Sequence, residues 1–361
     1  MQKFLEEINW IFTDYTFLII ALGTTVLGAM TGILGCFAVL KKQSLLGDAI
    51  SHATLPGIVL AFLWTGSKDV NILLLGALVF GIIGSLGIRN MTQKTKLKTD
   101  TSLGLILSLF FGFGMLLLTY AQKIPDANQA GLDKYLFGQA ATLLESDVFI
   151  LLIISFLMLI IIAAFWKEFK VFLFDAAFSK SIGFSNRFID ILMTILIVLI
   201  IVLGLQMVGV VLISALLLAP AAAARQWTNS LSLMLLLAAI FGASSGFLGT
   251  VISASSDQMA TGPLIVIVAS VFVFFSFLFA PKRGIVARGR KWKKNKKKWK
   301  DLQVLKKCYE LESAQDSLLT EDVENLCLPK QKKALVNRKW LIKKEDCWHV
   351  SEIGKKYLRD I

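Results

Sequence analysis

Two residues in this chain have the types and the spacing to hold a divalent metal ion. Asp48 and His52 stand four apart in the stretch Gln43-Ser-Leu-Leu-Gly-Asp-Ala-Ile-Ser-His-Ala-Thr-Leu-Pro-Gly57. On a helix that spacing puts them on one face, one turn apart. A carboxylate oxygen and an imidazole nitrogen so placed can ligate one ion. Mixed oxygen and nitrogen donors suit manganese, iron and zinc, whereas thiolates favour softer metals. The competing reading is a structural hydrogen bond between the two side chains. Both fall inside an apolar block, where ionisable groups are costly and usually face a pathway, so ligation is the stronger reading. A transported ion must also leave, which fits two protein ligands completed by water better than a closed four-ligand cage. The metal would be cargo, and no permanently bound cofactor is expected.

A second stretch, Phe174-Asp-Ala-Ala-Phe-Ser-Lys-Ser-Ile-Gly183, is amphipathic. Phe174, Phe178 and Ile182 alternate with Asp175, Ser179 and Lys180, and Gly183 suits the left-handed cap of a short helix. Such a helix either docks on a cytoplasmic ATPase or lies in the membrane interface, and the residues alone leave the two readings even. Glu145, Asp147 and Asp257 are read as solvated loop charges, and Cys36 as a buried structural thiol. The chain has no G-x-x-x-x-G-K-[ST] run, so it is not expected to hydrolyse ATP; any ATP-driven step belongs to a separate subunit.

These groups need elements to carry them. The chain has 361 residues, 56% of them hydrophobic, and a mean hydropathy of +0.69. That excludes an ordinary soluble globular protein. The apolar residues fall in blocks of about twenty, the length that crosses about 30 Å of hydrocarbon. Nine spans are expected, at 17–40, 45–65, 70–89, 101–121, 147–166, 187–204, 206–224, 230–252 and 259–280. The second is interrupted by Ser44, Asp48, Ser51, His52 and Pro56, so it should avoid lipid. Glycines spaced three or four apart in the first and eighth spans should let helix backbones approach closely. The start lacks the basic run and cleavage site of a signal peptide and is read as mature.

Basic residues set the orientation. With the N-terminus outside, the inside loops hold Lys41, Lys42, Arg89 to Lys98, Lys167 to Arg187 and Arg225. The outside loops hold only Lys68, Lys123 and Lys134, mixed with Asp69, Asp126 and Asp133. Nine spans then leave the C-terminus in the cytoplasm of a cell whose inner membrane holds the protein. Of the net charge of +13, a balance of +12 comes from Lys282 onward, with 23 Lys and Arg against 11 Asp and Glu. Three of the four cysteines (Cys308, Cys327, Cys347) lie in this tail, which fits a reducing compartment.

Three regions follow: a membrane domain over 1–281, a basic juxtamembrane linker over 282–300 and a small folded domain over 301–361. The linker carries Trp292 and Trp299 among its lysines and reads as a contact for anionic lipid. Beyond it, helical spacing at Leu302, Leu305, Tyr309 and Leu311 is followed by helices at 318–326, with Thr320 as cap, and at 329–341. A hairpin around Ile342 and Trp348 and a last helix over 351–358 complete the order of a winged helix. DNA binding by this tail is possible in principle, but tethering to a membrane argues against it.

The residues Ser44 to Gly57 resemble the signature of the permeases of the zinc/manganese/iron ABC importers. The stretch Gly209-Val-Val-Leu-Ile-Ser-Ala-Leu-Leu-Leu-Ala-Pro-Ala-Ala-Ala-Ala-Arg225 is a second match, and Phe174–Gly183 is similar to that family's ATPase-coupling segment. The resemblance covers about residues 15–281. It implies an all-α polytopic membrane protein that works as a homodimer with cytoplasmic ATP-binding subunits. An extracytoplasmic metal-binding protein would deliver the ion, and Asp48 and His52 would lie on its path. It moves the coupling reading of Phe174, Asp175, Phe178, Lys180 and Gly183 ahead of the interfacial one. The tail looks like the winged-helix part of manganese/iron-dependent repressors, without their metal-sensing ligands. Manganese and iron are favoured, with zinc possible. The alternatives are a proton-coupled metal transporter using Asp48 or His52 as proton carrier, and a membrane-anchored transcriptional regulator.

Overall fold

A segment in hydrocarbon has to satisfy its own backbone hydrogen bonds, so apolar blocks of this length become helices. The computed structural model describes residues 14–67, 69–123, 144–255, 259–281, 283–315, 323, 326–327, 329–344 and 347–359. The helices of the apolar region are α1 (Tyr15–Leu40), α2 (Leu46–Thr65), α3 (Val70–Lys94), α4 (Thr99–Ala121) and α5 (Glu145–Ala164). Two short ones follow, α6 (Trp166–Phe174) and α7 (Ala176–Ser181), and then α8 (Asn186–Val208), α9 (Val210–Trp227), α10 (Leu231–Ala254) and α11 (Thr261–Phe279). Side chains start several of them in the expected way. Asp14 accepts from the Thr16 N–H (3.0 Å) and Asp69 from that of Asn71 (3.0 Å).

Among the described residues, eight of these helices are long and apolar enough to cross a membrane. The seventh expected span, 206–224, is the exception. Gly209 has φ +88°, a backbone state that favours glycine, and it ends α8 at Val208 before α9 begins one residue later. The apolar block read as beginning at 206 is thereby divided, and the helix after the break, α9, has 18 residues. It still runs from one end of the bundle to the other. Gln206, just before it, donates to Asp147 at the start of α5 (2.9 Å). Trp227, at its end, donates to Ser276 in the last turn of α11 (3.0 Å).

A close seam joins α1 to α10. A Cβ built on Gly28 would fall on the Gly242 carbonyl oxygen, and one on Gly242 would fall on that of Gly28. Only residues without a side chain permit this approach. Next to it the Thr24 and Thr250 hydroxyls share a hydrogen bond of 2.9 Å. Helix α2 is the most enclosed candidate span: 72% of its most apolar stretch is buried, against 22–56% in the others. Its polar interruptions are therefore kept from lipid.

The chain divides into two compact units, Met1–Gly284 and Ile285–Ile361. In the second, α12 (Ile285–Gln315) runs without a break through the basic stretch and the first expected tail helix. Then come α13 (Pro329–Asn337), the strands β1 (Leu341–Lys344) and β2 (Cys347–Val350), and α14 (Glu352–Arg359). The strands pair antiparallel with Leu341 opposite Val350 and Lys344 opposite Cys347. This unit has its own core, including Leu305, Cys308, Leu335, Trp340, Leu341 and Val350. Of the expected winged-helix-like α+β domain, the described residues give these helices and a two-stranded sheet. The proposed cap Thr320 lies outside them, as does Asp257.

Candidate functional site

Helix α2 carries both expected ligands near its start, with Asp48 in the first turn, where a carboxylate is favoured by the helix dipole. Asp48 and His52 are half-buried, and the residues between and beside them (Gly47, Ala49, Ile50, Ser51, Ala53) are buried. Gly47 packs on Ser214 and Leu217 of α9, so α9 backs the helix beside Asp48. The nearby hydroxyls are used internally: Ser51 donates to the Asp48 carbonyl (3.0 Å) and Thr54 to that of Ser51 (2.6 Å). His52 differs. Its Nδ1 is buried and makes no hydrogen bond, with Asp48 or with any other group, while its ring stands edge-on to Phe111 of α4 at 4.9 Å. A buried polar atom without a partner costs free energy unless function supplies one. Pro56, one turn on, has no N–H to give the His52 carbonyl, which loosens the helix at this point. Among the described residues no third His, Cys, Asp or Glu joins the pair.

The segment after α5 is built as a compact corner. Phe169 of α6 is buried against Phe37 of α1, their ring centroids 5.6 Å apart. Asp175 caps α7 by accepting from the Phe178 N–H (2.9 Å). Gly183, at φ +94°, closes it in a Schellman motif, with Phe184 N–H donating to the Ser179 carbonyl (3.1 Å). Phe174, Phe178 and Ile182 remain exposed. They sit four residues apart, an apolar row with Lys180 beside it. The structure thus brings Phe174, Asp175, Phe178, Lys180 and Gly183 together in one corner, on elements separate from Asp48 and His52.

The comparisons with known proteins bear on what such an arrangement is for. Residues 14–280 match the sequence model of the ABC 3 transport family. The chain belongs to that family. It is 49% identical over 276 residues to the zinc transport system membrane protein TroC of Treponema pallidum (strain Nichols), covering 76% of this chain and 93% of that one. It is 44% identical over 288 residues to the manganese transport system membrane protein MntC of Bacillus subtilis (strain 168), covering 80% of this chain and 66% of that one. Among solved structures, PsaBC from Streptococcus pneumoniae in complex with Fab superposes with a TM-score of 0.69 at 33% identity, covering 80% of this chain and 99% of that one.

Other polar groups of this ABC 3 family chain have structural partners. At the end of the bundle opposite Lys41, Tyr15 donates to Glu145 (2.6 Å) and Gln206 to Asp147 (2.9 Å), so these two acids are not free loop charges as read from sequence. Cys36 is buried, with its thiol directed at the Gly32 and Met234 carbonyls, as expected of a structural cysteine. The residue that sequence reasoning passed over is Asp190, in the second turn of α8. It meets Lys41 Nζ at 2.6 Å and Arg89 Nε at 3.7 Å. The signal was present: an acidic residue inside an apolar block, which ordinarily marks a functional position.

Proposed function

We propose that this chain is the permease of an ATP-driven importer for manganese or zinc, with the ion held transiently by Asp48 and His52. Family membership carries the importer class, and the names of the relatives support manganese and zinc. Iron is an expectation of the donor chemistry and of the sequence resemblance. The observation that supports the site is the pair itself: two donors one turn apart on the most enclosed helix, one with a buried nitrogen that has no partner. Water, or groups from a second copy of the chain, would complete the coordination. The exposed row Phe174, Phe178 and Ile182 would dock on a separate ATP-binding subunit, with Asp175, Lys180 and Gly183 shaping the corner.

In the same reading the permease is a homodimer served by an extracytoplasmic metal-binding protein. Its N-terminus is outside and its basic end, with Lys41, Arg89 and Arg225, faces the cytoplasm. For the tail, the order helix, hairpin, helix supports a winged-helix-like module. Its resemblance to metal-dependent repressors stays an inference from sequence.

The test is the total manganese, iron and zinc of cells lacking the gene, complemented with wild type or Asp48→Ala at equal membrane levels. Wild type alone is expected to restore one metal. Unchanged contents of all three metals in every strain would overturn the reading.

A further inference from the structure

Asp190 is the meeting point of three helices that the sequence keeps far apart. Its carboxylate on α8 faces Lys41 at the end of α1 (2.6 Å) and Arg89 on α3 (3.7 Å). The Lys41, Arg89 and Asp190 side chains are only 13%, 13% and 22% exposed. Ion pairs on open surface contribute little, whereas an enclosed one is strongly felt when a partner is removed. One turn before Asp190, the side chain of Asn186 donates to the carbonyl of Ala176, the first residue of α7 (2.7 Å). The corner thus grips the first turn of α8.

On the other side of Asp190, Lys41 is the C-cap of α1. The chain then turns through Lys42, a non-glycine residue at φ +58°. Lys42 N–H donates to the Val39 carbonyl (3.1 Å) and Gln43 N–H to that of Ala38 (3.0 Å), a closed Schellman turn. Helix α2 starts three residues later, with Asp48 in its first turn. A displacement of Lys41 therefore carries the start of α2 with it.

We infer that Asp190 is a positioning residue that passes movement of the α6–α7 corner, through Lys41 and its turn, to the helix holding Asp48 and His52. Arg89 holds α3 to the same node, so that α1, α3 and α8 move together. The inference rests on the proposed roles of the corner and of the Asp48–His52 pair.

The test is made on the full permease with its ATP-binding subunit and metal-delivering protein, reconstituted in vesicles, with manganese ion as the probe. Uptake per ATP hydrolysed is measured for Asp190→Asn, Asp190→Glu and Lys41→Gln. Asp190→Asn should bind the ATP-binding subunit at wild-type stoichiometry and hydrolyse ATP, yet move at least ten-fold less manganese per ATP. Asp190→Glu should recover most of it. Uptake per ATP within two-fold of wild type in Asp190→Asn overturns the inference, as does loss of the ATP-binding subunit from that variant. If Asp190→Asn does not fold, Lys41→Gln, which leaves Asp190 with Arg89, decides on the same two-fold criterion. Phe178→Asp separates the underlying reading: it should release the ATP-binding subunit. Retention there would refute the docking role of the corner, whatever Asp190 does.

Discussion

His52 and Phe111 meet edge to face, with ring centroids 4.9 Å apart and planes at 75°. The contact joins α2 to α4 at the one histidine of the apolar unit. It holds the imidazole in a fixed plane while its Nδ1 stays buried without a partner. In the proposed role of His52, a ring already oriented would lose less freedom on taking up an ion. An aromatic pair of this kind contributes about 0.5–1.5 kcal/mol beyond simple burial. Phe111→Ala should therefore raise the apparent KM for metal uptake about two- to ten-fold, at equal membrane levels. Phe111→Tyr, which keeps the edge contact, should stay within about two-fold. An unchanged KM in Phe111→Ala would remove Phe111 from the site.

The Gly28–Gly242 approach gives a prediction about stability alone. Any side chain at either position meets a backbone carbonyl that the opposite helix cannot move without shifting as a whole. Overpacking of a closed interface costs about 1–3 kcal/mol. Gly28→Val should lower the thermal midpoint of the detergent-solubilised protein, while Gly104→Ala, whose new Cβ has no atom within 4 Å, should leave it unchanged. Equal midpoints for both variants would mean that the seam tolerates separation.

Much of this architecture is legible in the residues because hydrocarbon leaves the backbone few choices. Apolar length announced the helices, and Pro56 with Asp48 and His52 marked α2 as the one to be enclosed. The period of Gly28, Gly32 and Gly242, Gly246 marked α1 and α10 for close approach, but only the fold shows that they approach each other. The break at Gly209 was harder to see. A glycine in an apolar run is compatible with a continuous helix, and its φ of +88° is decided by how α8 and α9 pack. Phe111 was hidden for a different reason. One phenylalanine among the many apolar residues of α4 has nothing in its own surroundings to show that it faces a histidine. Asp190 was visible as an acid in a span, but its partners Lys41 and Arg89 are 149 and 101 residues away and only folding brings them together.

A contact between two thiols in the tail makes its stability depend on pH. Cys308 and Cys327 are buried in the core of the second unit and share a hydrogen bond. That bond, and then burial, push the Cys308 thiol above its usual value near 9. The folded tail thus holds this proton more tightly than the unfolded chain does. The resulting stability is complete below about pH 9 and is lost as the pH rises beyond it, by at most about 1.4 kcal/mol per pH unit. The same bond lowers Cys327, whose effect on stability changes below its usual value and not above it. From pH 9 to 10.5 the contribution of this pair is the part of the slope that Cys308→Ala removes. The urea concentration at which brief trypsin treatment clips the tail should fall more steeply with pH in wild type than in Cys308→Ala. Parallel slopes would show that the Cys308 proton is held no more tightly in the fold than out of it.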